Sequence, residues 1–176
     1  MFAGSTWDTV SSASLAVLLT VACTSDLRTR RIPNQLVLVI AISGIAFGVV
    51  TTSPADGLVR AATGLLTGLV IWLPFYALRM LGAGDVKLFA AASTFLGPRY
   101  AVEAALYTAL YGGVVALVYM ILQSGWTSTL LRVSHGVQHP ALLRNHPGSL
   151  HRRLPYALAI AAGVLTALWW PGHILT

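Results

Sequence analysis

The sequence predicts an all-α, polytopic membrane protein of about six transmembrane helices, and three observations carry that expectation. First, its 176 residues are 56% hydrophobic and only 9% charged, with a mean hydropathy of +0.76, where a soluble domain has about 25% charged residues. Too few polar side chains exist to coat a water-facing surface. Second, the apolar residues fall into six long runs separated by short polar stretches. Third, the basic residues concentrate in alternate connections between those runs, the distribution expected of cytoplasmic membrane loops.

The first run extends from Trp7 to Ser25. It has Asp8 where a secretory signal has basic residues, and its basic cluster follows the apolar stretch, so it reads as a helix that stays. The second run, Gln35 to Val50, follows Pro33, which cannot continue a helix but can start one. The third, Leu58 to Leu78, has Gly64 and Gly68 at GxxxG spacing, which marks close helix packing. The fourth, Val86 to Leu96, covers only about 17 Å at 1.5 Å per residue. The fifth spans Ala101 to Leu122 and the sixth Pro155 to Trp170. Residues 124–154 read as one polar, basic cytoplasmic loop within a single domain of residues 1–176.

Whether the short fourth run crosses decides the topology. If all six cross, residues 26–34, 79–87 and 123–154 share one side. They hold Arg28, Arg30, Arg31, Arg79, Lys87, Arg132, Arg144, Arg152 and Arg153, nine of the eleven basic residues. Only Arg60 and Arg99 fall on the other side. This arrangement puts the basic side in the cytoplasm and both termini outside. Trp7, Tyr100, Trp169 and Trp170 then form an outer aromatic belt.

Of the five acidic residues, only Asp26 and Asp85 lie on the basic side; Asp8, Asp56 and Glu103 fall at or near the other. Ionisable groups at membrane depth are expensive and by default functional. Asp85 closes Gly82-Ala83-Gly84-Asp85 and opens the fourth run. The glycines let a substrate strand approach, and a helix start favours a negative charge. Asp26 ends the first run, six residues before the Ile32-Pro33-Asn34 turn. Two neighbouring carboxylates can share one proton and titrate as a pair. One then acts as base on a water while the other polarises a scissile carbonyl.

Together, Asp26-Leu27 with Ile32-Pro33-Asn34 and Gly82-Ala83-Gly84-Asp85-Val86-Lys87 resemble the type IV prepilin peptidase family of GxGD-type membrane aspartyl proteases, to which preflagellin peptidases are related. Leu154-Pro155-Tyr156 is similar to the element that opens that family's last helix. The resemblance covers nearly the whole chain. It implies that Asp26 and Asp85 are the catalytic pair and that Gly82, Gly84, Lys87, Pro33, Asn34, Pro155 and Tyr156 support them. Lys87 would orient the site, touch substrate or anchor at headgroups. The implied reaction is removal of a short leader from a prepilin at the cytoplasmic face of the inner membrane, with membrane lipid around the enzyme and no cofactor. Longer members have a four-cysteine zinc region associated with N-methylation. Cys23 is this chain's one cysteine, so the resemblance is to the short, peptidase-only branch that serves Flp/Tad pili, and methyl transfer is not expected.

Other readings divide from this one on chemistry. The same two acids could bind a cation in a non-enzymatic pilus-assembly subunit or a small transporter. Nucleic-acid binding is excluded, because the arginines alternate with apolar runs instead of joining aromatic-plus-basic motifs. His135 and His139 have the i, i+4 spacing of a metal pair, but no Cys or acid in 124–154 completes a site. A serine intramembrane protease would need a Gly-x-Ser-Gly string, which the chain lacks. The oligomeric state and the identity of the pilin are not legible.

Overall fold

The computed structural model describes residues 6–78, 80–138 and 156–169, and the side chains of 9–78, 80–118 and 156–169. The described residues are all helical or in short connections. The helices are α1 (Thr6–Thr29), α2 (Asn34–Thr51), α3 (Pro54–Ala77), α4 (Ala83–Gln138) and α5 (Tyr156–Trp169). Four of them contain stretches long and apolar enough to cross a membrane, and α5 is a shorter apolar helix.

The turns follow from local chemistry. Pro33 occupies the N-cap of α2 in an extended conformation (φ −62°, ψ 133°), which its ring favours. Ser53 caps α3: its hydroxyl accepts from the Asp56 N–H at 3.1 Å and donates to the Asp56 carboxylate at 2.6 Å, with Pro54 in the first turn. Here the N3 acid bonds the cap hydroxyl itself, a variant of the capping box.

The fourth and fifth apolar runs form one helix, α4, which continues through Gly97-Pro98. That helix is nevertheless not straight. Phe89 stacks on Trp72 with ring centroids 5.6 Å apart, Trp72 stacks on Tyr156 at 6.0 Å, and the Tyr156 ring lies against Gly112. A straight helix would hold residues 89 and 112 about 35 Å apart. The reversal falls at Gly97, the one described glycine with positive φ (+75°). That conformation is open to glycine and costs other residues about 1–2 kcal/mol. Arg60 closes the bend by donating from Nη2 to the Phe95 carbonyl at 3.0 Å.

One expectation is corrected beyond Leu122. Residues 124–138, read from the sequence as part of a loop, continue α4 to Gln138. They include Leu130, Leu131 and Val133, and the first proline after Pro98 is Pro140, so nothing inside the segment obliges helix to stop. Residues 139–154, which include His139, lie outside the described residues, as does Pro155.

α3 runs against the first half of α4, and α5 against the second half. Gly64 faces Ser93, Gly68 faces Ala90, and Gly163 faces Thr108. Leu15 and Leu19 of α1, Ile40 of α2, Trp72 of α3, Leu88 and Phe89 of α4, and Ile160 and Val164 of α5 build the core. The buried hydroxyls of Ser93 and Thr94 donate back to carbonyls of their own helix, Phe89 at 2.8 Å and Ala91 at 2.7 Å. Leu38, Ile42, Leu66, Val70 and Leu73 point outward, the inverse of a soluble surface and suited to lipid.

Candidate active site

Three helix ends meet at one end of the bundle. The first is the end of α1. Helix continues three residues past Asp26, and the Arg30 N–H still bonds the Asp26 carbonyl at 2.8 Å. Arg30 then turns into the left-handed region (φ 51°), the usual way to stop a helix but one that glycine normally performs. The hydroxyls of Ser25 and Thr29 both donate to the Arg31 carbonyl at 3.1 Å, folding the turn back onto α1. Arg30→Gly should therefore stabilise the protein by about 0.5–1 kcal/mol, seen as a higher melting temperature in detergent. A drop would mean that the arginine makes a contact worth more than the strain.

The second end is the start of α4. Gly82 precedes the helix, and Asp85 lies in its first turn. The Asp85 carboxylate accepts the Gly82 N–H at 3.2 Å, and the Asp85 N–H bonds the Gly82 carbonyl at 3.1 Å. An acid at this place reaches back to the cap, which fixes the Asp85 backbone and side chain relative to the two glycines.

Two contacts join these ends. A Cβ built on Gly84 would stand 3.6 Å from Ile32, so the Gly84 backbone packs on the turn that follows Asp26. Lys87 Nζ donates to Asn34 Oδ1 at 3.4 Å, across the gap between the starts of α4 and α2. The third end, the start of α5, lies beside both. Cys23 Sγ, one turn before Asp26, donates to the Ala157 carbonyl at 3.4 Å. The neighbouring Tyr156 lies within electrostatic reach of Asp85.

The structure thus brings together the segments of Asp26, Pro33, Asn34, Gly82, Gly84, Asp85, Lys87 and Tyr156. Asp26 Oδ2 is closed to solvent, while Lys87, Asn34 and Gly82 are exposed. The arrangement is a polar end of an apolar bundle, with one acid half-buried on each of two helix ends. Among the described residues no group of three His, Cys, Asp or Glu side chains stands together to hold a metal ion.

Sequence reasoning placed Ile32 in a motif but did not give Cys23 or Trp72 a part in the site. Trp72 packs on Phe75, Phe89 and Tyr156 and is 4% exposed. Its one signal is a large aromatic well inside an apolar run, away from the ends where a belt residue belongs.

Comparison with known proteins shows the family of the chain. The model of the type IV leader peptidase family matches residues 13–121. A prepilin leader peptidase/N-methyltransferase of Pectobacterium carotovorum subsp. carotovorum is 32% identical over 121 residues, covering 64% of this chain and 41% of that relative. The chain therefore matches less than half of the relative's length. No solved structure matches the chain.

Proposed function

The chain belongs to the type IV leader peptidase family, and from that premise we propose that it removes the leader peptide of a prepilin, with Asp26 and Asp85 as its catalytic pair. One carboxylate takes a proton from a water held between them. The resulting hydroxide attacks the scissile carbonyl, which the other, protonated acid polarises. Proton transfer to the amide nitrogen then breaks the C–N bond. The products are the leader's new carboxylate and the mature pilin's amino terminus. Methyl transfer is named for the Pectobacterium relative and is not part of this proposal.

The observation that carries the reading is the pair of contacts, Gly84 on Ile32 and Lys87 on Asn34, that hold the two acid-bearing segments at one end of the bundle. Six passes, with the chain turning at Gly97, would put nine of the eleven basic residues on the side of the two acids, and that charge pattern supports this orientation. By the positive-inside rule that side is the cytoplasmic one, and the apolar helices support an inner-membrane location. Co-expression with a prepilin from the same genome tests the activity directly. The pilin should shorten, and its new amino terminus should begin at a single position after the leader. A pilin that keeps its full length would refute the assignment.

The charges make a prediction about substrate. A face carrying Arg28, Arg30, Arg31 and Lys87 repels a lysine-rich leader at low ionic strength. Replacing the leader's lysines with serine should leave the cleavage rate unchanged or raise it. A large fall would show that the enzyme reads those charges through acids or lipid phosphates.

A further inference from the structure

Among the described residues, Trp72 is the one buried side chain beside the site with a donor left over. Its indole N–H has no hydrogen-bond acceptor among the described residues, although the residue is 4% exposed. Such a group destabilises a bundle unless something in the working protein accepts from it. Its place is well defined. The indole stacks on Phe89, one helical turn beyond Asp85 on α4, with ring centroids 5.6 Å apart and planes at 67°. It meets the Tyr156 ring edge-on at 6.0 Å and 78°, and Tyr156 lies within electrostatic reach of Asp85. Gly112 leaves room for that phenol, since a Cβ there would overlap its ring. Trp72 thus packs as a buried wall behind the site, against the turn of α4 that follows Asp85.

We propose that Trp72 is a substrate-binding residue whose indole N–H donates to a backbone carbonyl on the mature side of the scissile bond. This rests on the peptidase reading above. To reach the acids, the first turn of the substrate's apolar helix must unwind, and its carbonyls lose their helical partners. At that depth no bulk water replaces them. An indole N–H only donates, so it matches a carbonyl and not an amide N–H.

The test uses the full chain reconstituted in lipid and a synthetic peptide carrying the leader and first apolar turns of a prepilin from the same genome. Trp72→Phe keeps an aromatic ring in the wall and removes the donor. It should raise KM about tenfold and leave kcat within about twofold. In parallel, Asp85→Asn protein with ¹⁵N-labelled indoles is titrated with the peptide. The chain has five tryptophans, and the Trp72 signal is the one missing from Trp72→Phe. That signal should shift as the peptide saturates. A wild-type KM in Trp72→Phe, or a Trp72 signal unmoved at saturation, as expected if a buried water is its acceptor, would overturn the proposal. Failure of the aspartyl reading shows separately, as cleavage that persists in Asp85→Asn, because the indole signal reports binding alone.

Discussion

Asp26→Asn and Asp85→Asn should each lower leader cleavage by about 10²–10⁴-fold, the usual weight of a positioned acid or base, while the protein still inserts and folds. Asparagine keeps the size of the side chain. At position 85 its carbonyl oxygen can still accept the Gly82 N–H that the Asp85 carboxylate now accepts at 3.2 Å. What is lost is the ability to exchange a proton with water or substrate. Because the two acids act on one water, the double variant should be no slower than the worse single one. Asp56→Asn is the control: that acid is exposed and bonds the Ser53 cap of α3. The rates are read from prepilin shortening over time in membranes with matched enzyme levels. If the acids instead bind a cation in a non-enzymatic subunit, pilin processing would be indifferent to both changes.

Gly64→Leu should destabilise the bundle by about 3 kcal/mol or more, the upper range for overpacking. α3 and α4 meet backbone to backbone here. A Cβ on Gly64 would fall onto the Ser93 carbonyl oxygen, and one on Gly68 would stand 3.0 Å from the Ala90 Cα. Neither obstacle is a flexible side chain that can swing away, so the helices would have to separate. Because α3 carries Trp72 and α4 carries Asp85, separation would also widen the site, and activity should fall with stability. Gly113→Leu is the matched control, since a Cβ there meets nothing within 4 Å. Melting temperature in detergent and the yield of folded protein measure both. Equal stability of the two variants would mean that α3 and α4 do not pack as described.

Much of this was legible in the residues. Pro33 marks the start of α2 because a ring without an N–H is well tolerated at a helix start. Gly64 and Gly68 announced a close helix contact, and the acids of the two motifs stood out because so few acids exist. The Gly97-Pro98 bend was harder to read. A glycine and proline between apolar runs left open whether helix continues there, and it does, through a tight turn. Residues 124–138 looked like loop from their polarity, and polarity does not distinguish a helix outside lipid from a coil. The facing of each helix was not legible, because segments that are apolar nearly all round carry little periodicity. That is why Trp72 and the complete burial of Glu103 became visible only in three dimensions.

The central claim is that Asp26 and Asp85 face one another across a gap that a peptide bond can enter. Thiol cross-linking measures this most directly. With Cys23 replaced by serine, Asp26→Cys/Asp85→Cys is treated in native membranes with a short bifunctional thiol reagent. Asn34→Cys/Lys87→Cys, a pair in contact at 3.4 Å, serves as the positive control. The account predicts that both pairs bridge within one chain and that added prepilin peptide slows bridging at 26 and 85 but not at 34 and 87. Bridging of the control pair alone, with or without peptide, would contradict it.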